Sequence, residues 1–125
     1  MWRDTRDAVL DMRQACSEVL NFALGADLDR LEHDLVRLRA IERSLAILGE
    51  AAKHVPQTFR DAHPLVPWRK MAGLRDGLVH DYFDIDLEVL KHVIERELPS
   101  VQVELDGLID GLGWDRGESG GDSPL

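Results

Sequence analysis

The densest grouping of reactive side chains is the octet Arg75-Asp76-Gly77-Leu78-Val79-His80-Asp81-Tyr82. Arginine presents a planar fork of donors that holds a phosphate and neutralises charge developing on it. Histidine titrates near neutral pH and can move a proton. Asp76 stands four residues before His80, so on a helix the two stack, and the carboxylate can accept from one imidazole nitrogen and fix which nitrogen faces a substrate. Such a set suits phosphodiester cleavage in which a neighbouring 2'-hydroxyl is the nucleophile, which needs charge neutralisation and proton transfer at the attacking and leaving oxygens. RNA has that hydroxyl and DNA does not.

Helix geometry limits the grouping. At 100° per residue, Arg75 and Tyr82 lie about 20° apart, whereas Arg75 and His80 diverge by about 140°. Convergence on one ligand needs either a distortion near Gly77 or a partner surface where the helix docks. Taken alone, the same residues also suit a solvated helix face, with the Tyr82 hydroxyl in water. Glu50 and His54, at i and i+4, have the spacing of a metal-ligating pair but lack a third ligand at a defined spacing. No metal site is expected. His33 and His92 sit among charged neighbours and read as solvated. Lys53, Arg69 and Lys70 are candidates for a path along which a nucleic acid strand could lie.

The elements that must carry these residues are helical. Asp4 to Leu24 shows apolar positions at Val9, Met12, Cys16, Val19 and Ala23, with Gly25 as a C-terminal stop. From an N-cap at Asp27, the stripe Leu28, Leu31, Leu35, Leu38, Ile41, Leu45, Leu48 and Ala52 predicts one long helix ending before Pro56. Pro56, Pro64 and Pro67 then break the pattern, with a short helical turn at Gln57–Ala62. A third segment runs from Pro67 or Trp68 to Phe83, with Trp68 anchoring its start. Gly73 and Gly77 weaken it, by about 1 kcal/mol each relative to Ala, and suggest close approach of another backbone or a ligand. A fourth, from Asp84 or Asp86, carries Leu87, Leu90, Ile94, Leu98, Val101, Leu105, Leu108 and Leu112, with a kink or restart at Pro99. The expected fold is all-α, an antiparallel four-to-five-helix bundle. Residues 1–112 form its one domain, and 113–125, rich in Gly, Ser and Asp, form a flexible tail. The long first two stripes leave apolar surface for a second copy.

Composition narrows the setting. The chain has 125 residues, 44% of them hydrophobic and 31% charged, the balance of a globular domain. No run of about 18 apolar residues is present, so no membrane span is expected. The opening Met1 to Asp7 predicts no secretory leader. Cys16 is the single cysteine, which fits a reducing cytoplasm. The net charge of -9 argues against a general nucleic-acid coat. Between Lys53 and His80, however, five basic residues stand against only Asp61 and Asp76, which suits either a local anion site or a chance cluster.

The segment from Leu48 to Leu90 resembles the HepT-like members of the HEPN superfamily. Three pieces carry the likeness: Gly49-Glu50-Ala51-Ala52, His63-Pro64-Leu65-Val66-Pro67-Trp68-Arg69-Lys70-Met71-Ala72-Gly73-Leu74, and Arg75 to Tyr82 in the pattern R-x-x-x-x-H-x-Y. The resemblance implies a HEPN-like bundle that forms a homodimer with two such motifs at a shared cleft. It implies the toxin half of a toxin–antitoxin pair, a metal-independent endoribonuclease with Arg75 and His80 as the catalytic pair and no cofactor. Asp76 and Glu50 would support or orient that pair. The implied partners are RNA and a small nucleotidyltransferase antitoxin of the MNT type, in a hetero-complex, which would attach AMP to Tyr82 and block the site. Two positions depart from the family. Asp76 stands where Asn is common, and Lys91 stands where many relatives have Trp. Asp76 would repel phosphate unless paired, which leaves a second reading: a weakly active or inactive helical module that binds a nucleotide or the partner enzyme.

Overall fold

The computed structural model describes residues 2–78 and 86–114. Among them there is no strand, and the all-α bundle expected from the hydrophobic stripes is observed. Helix α1, Thr5–Ala23, starts at Asp4, whose carboxylate accepts from the Asp7 amide, and ends at Leu24 before Gly25, which takes φ +76. Its stripe Val9, Met12, Cys16 and Val19 is fully buried against α2, Leu35–Lys53, and α7, Leu98–Gly111. Burial, with Asp106 close by, pushes the Cys16 thiol up to about 12, so it stays protonated and acts as a small core hydrophobe.

The long second helix expected from Asp27 is divided. Leu28–His33 form a 3-10 turn capped by Asp27, Arg30 leaves helical geometry, and α2 restarts at Asp34, whose carboxylate accepts from the Arg37 amide. Asp34 competes for backbone donors as an N-cap, and this local bond outweighs continuation of the stripe. The break leaves Leu24, Leu35 and Val36 exposed at the corner between α1 and α2.

Short helices α3, Gln57–Ala62, and α4, Trp68–Ala72, follow α2. Gly73 then interrupts the third segment, and α5 runs Leu74–Leu78. Among the described glycines the closest approach of another helix's backbone is at Gly49; a Cβ on Gly73 would meet only the carbonyls of its own preceding turn, and the surroundings of Gly77 lie outside what is described. A Cβ on Gly49 would stand 3.3 Å from the Met71 carbonyl oxygen and 3.6 Å from that of Ala72. Thus α2 lies directly on the α4 backbone, and Met71 and Leu74 are driven into the core beside Leu48 and Ala52.

The last rod has α6, Leu87–His92, a π-helical turn, Val93–Glu97, and α7. The kink or restart expected at Pro99 takes the form of this π-helical turn, after which α7 begins at Leu98 with Pro99 in its first turn. The Leu98 amide reaches back five residues to the Val93 carbonyl, and the widened turn accommodates a proline that offers no donor and would crowd the preceding carbonyl. Lys91 bonds Asp29 at 2.6 Å, which ties α6 to the 3-10 turn and raises the pKa of that ammonium group. Trp114, assigned to the tail by composition, stacks on Phe59 with ring centroids 5.9 Å apart and so extends the helical body past residue 112. No described helix is long and apolar enough to cross a membrane.

Replacing Gly49 by Val places a branched side chain against the Met71 and Ala72 carbonyls. Overpacking of this kind costs about 1–3 kcal/mol. Urea unfolding of Gly49→Val should show a loss of that size, and an unchanged midpoint would contradict the close-contact account.

Candidate functional site

The site is assembled from α2 outward. Trp68 is 4% exposed, its indole N–H donates to the His63 carbonyl at 2.8 Å, and Phe59 meets the ring edge-on. Trp68 therefore anchors the start of α4, as its place after Pro67 suggested, and offers no face for stacking a base. Met71 and Leu74 turn inward, so Arg75 and Asp76 turn outward on α5, where both are exposed. The two make no ion pair with each other, nor does either with another described residue. His80 and Tyr82 lie outside the described residues, and so does the contact expected between Asp76 and His80.

A groove of about 750 Å³ lies between α3 and the start of α4. Gln57, Arg60 and Asp61 line one wall, and Pro67, Trp68, Arg69 and Lys70 the other. Its polar groups differ in how far they are committed. The Arg60 guanidinium donates to the Val55 carbonyl at 3.0 Å and the Ala52 carbonyl at 2.7 Å. It thereby closes the end of α2, where helical carbonyls lack partners. Gln57 donates to Asp61 at 2.8 Å. Lys70 lies 2.6 Å from Glu97, a carboxylate only 14% exposed, and the His92 Nε2 stands 3.5 Å from the same oxygen. Arg69 is exposed and has no hydrogen bond or ion pair with a described residue.

The remaining candidates lie at the end of α2. Glu50 pairs with Lys53 at 3.4 Å, and the His54 Nδ1 stands 3.0 Å from the Glu50 carbonyl oxygen while its ring packs on Trp2. Glu50 and His54 thus have local partners, and no group of three His, Cys, Asp or Glu side chains gathers among the described residues. His33 and His92 are exposed, each beside a carboxylate. Two contacts at the groove were invisible in the sequence. The cap made by Arg60 depends on a turn at Pro56, and the Lys70–Glu97 pair joins residues far apart in the chain.

Comparison with known proteins places residues 12–107 in the family described as Ribonuclease HepT-like. A provisionally named RNase of Caldanaerobacter subterraneus subsp. tengcongensis is 36% identical over 92 residues, 74% of this chain and 82% of that protein. A Thermococcus cleftensis protein named "Probable ribonuclease HepT" is 33% identical over 108 residues, 86% of this chain and 98% of its own length. A provisionally named RNase of Methanocaldococcus jannaschii is 31% identical over 104 residues, covering 83% and 95% respectively. No solved structure matches the chain.

Arg60 and Arg69 share the groove but differ in partners, so their neutral variants should separate. Hydrogen bonds from a charged group contribute about 1.5–3 kcal/mol. Arg60→Gln is therefore expected to lower stability to urea by roughly that range, while Arg69→Gln leaves the unfolding midpoint in place. Equal midpoints for the two variants would show that the α2 cap carries no weight.

Proposed function

Because the chain belongs to the HepT-like ribonuclease family, we propose that it is the toxin half of a toxin–antitoxin pair and cleaves RNA without a metal ion. The observation that carries this reading is the match over residues 12–107, which spans the Arg75–His80–Tyr82 motif and the groove beside it. Arg75, exposed on α5, binds the scissile phosphate and stabilises the charge that grows on its oxygens. The 2'-oxygen attacks phosphorus, the bond from phosphorus to the 5'-oxygen breaks, and a 2',3'-cyclic phosphate remains. His80 transfers one of the two protons, taking it from the 2'-hydroxyl or giving it to the 5'-oxygen. The second transfer falls to His80 of a second copy, so the active form is a homodimer. The exposed Leu24, Leu35 and Val36 support association. Asp76 orients His80, and Glu50 supports the cleft from the end of α2. The protein acts in the cytoplasm on RNA, needs no cofactor, and folds as the helical domain followed by its tail.

The partner is a nucleotidyltransferase antitoxin of the MNT type. It transfers AMP from ATP to the Tyr82 hydroxyl, the phenolic oxygen bonding to the α-phosphorus as its proton is lost and pyrophosphate leaves, and the added phosphate pairs with Arg75 and excludes RNA by charge and bulk. Exposed Asp76, with no ion-pair partner among the described residues and adjacent to Arg75, favours a second reading in which the motif binds a nucleotide or the partner enzyme with little cleavage.

Purified protein treated with a chelator is expected to cut RNA and leave cyclic phosphate ends. His80→Ala and Arg75→Ala should each slow cleavage by about 10²–10⁴-fold while the dimer persists in gel filtration. Cleavage that survives His80→Ala rejects the proton-transfer role, and no cleavage at any concentration favours the binding module. Intact mass after co-expression with the nucleotidyltransferase should rise by whole AMP units, and Tyr82→Phe should abolish the increment. A Tyr82→Phe protein that still gains AMP places the modification elsewhere.

A further inference from the structure

We propose that the groove between α3 and α4 holds the RNA strand next to the scissile phosphate, with Arg69 as its phosphate-binding cation, and that Glu97 limits affinity by keeping Lys70 neutralised. The proposal rests on the reading of Arg75 as part of a ribonuclease site. The groove, about 750 Å³ and open to solvent, has room for a nucleotide. It borders the element that leads through Gly73 into Arg75. Arg69 on α4 and Arg75 on α5 are both exposed and stand on consecutive short helices joined at Gly73, so a strand in the groove lies next to the element that carries Arg75.

The commitments of the lining residues select the contact. Three cations line the groove: Arg60, Arg69 and Lys70. Two of the five Arg60 donors are held by the Ala52 and Val55 carbonyls, which turns this guanidinium toward the end of α2. Lys70, itself 59% exposed, is held at 2.6 Å by the little-exposed Glu97, and the carboxylate offsets its charge at the groove. Arg69 is left with its whole fork of donors toward solvent. Buried Trp68 forms the floor and cannot stack a base, so recognition falls on the backbone phosphate. Gln57 and Asp61, already bonded to each other, form the facing wall. Glu97 would act as a positioning residue through Lys70: with the carboxylate present, Lys70 adds little to the strand's attraction, and without it a second cation becomes available.

The test is binding of an oligoribonucleotide with 2'-O-methyl groups, which lacks the nucleophile and is not cut, followed by fluorescence anisotropy between 50 and 200 mM salt. Each phosphate contact to a single strand contributes about 0.7 to the slope of log affinity against log salt. Arg69→Gln should weaken binding and flatten the slope by about 0.7, while Lys70→Gln leaves the slope as in the wild type. Glu97→Gln should strengthen binding and steepen the slope by about 0.7, and adding Lys70→Gln to it should remove the gain. An Arg69→Gln slope equal to wild type, or a Glu97→Gln protein that binds no better, overturns the proposal. If Glu97→Gln does not fold, as judged by circular dichroism, Arg69→Gln and Lys70→Gln decide it, and equal slopes for those two overturn it. Cleavage of unmodified RNA by the wild type is measured beside these. Its absence rejects the ribonuclease reading, whereas cleavage with an unaltered Arg69→Gln slope rejects only the groove.

Discussion

The contact of Gly49 with the carbonyls of Met71 and Ala72 is the constraint on which the site depends. It is a contact between one helix and the backbone of another, so no side chain can substitute for it. Once α2 lies on α4 at that distance, Met71 and Leu74 must fill the core. Arg75 and Asp76, next in the chain, are then turned to solvent. A short helix of five residues has little intrinsic stability. Its orientation comes from this packing and from the Trp68 indole, whose single donor is satisfied by His63.

The electrostatics follow a similar logic of local commitment. A protein with a net charge of -9 does not attract a polyanion through its overall field. It can still offer individual cations if those are left unpaired at a chosen place. Lys53, Lys70 and Lys91 each have an acidic partner within 3.4 Å, and Arg60 has two donors on carbonyls at the end of α2. Arg69 and Arg75 have neither among the described residues. The acidic residues thus affect which positive groups remain available, and two of those left without an ion pair, Arg69 and Arg75, lie on the short segment set by Gly49.

The π-helical turn joins these two themes. It lets the last rod pass Pro99 without a break, and it ends at Glu97. That carboxylate reaches across to Lys70 on α4 and stands beside His92. A feature that accommodates a proline therefore also places a little-exposed acid against the basic groove. Extra residues in helical turns often occur at functional positions because they redirect a side chain locally.

The sequence by itself determined the class of fold, because apolar residues at steps of three and four leave only helices able to bury them: the stripes of α1, α2 and α7 are the core observed. It also determined the Gly25 stop, the anchoring role of Trp68 and the family, since these depend on local conformation or on short motifs. It overran the second helix, because periodicity does not register the capping bond of Asp34, and it did not single out Gly49, where another helix's backbone comes closest among the described glycines. Which basic side chains are free was decided only in three dimensions. Lys53, Arg69 and Lys70 are alike in the linear chain, and their difference arises from partners that folding brings near. Coulombic and hydrogen-bond energies depend on distance in space, and the order of residues sets that distance only within a turn or two of helix.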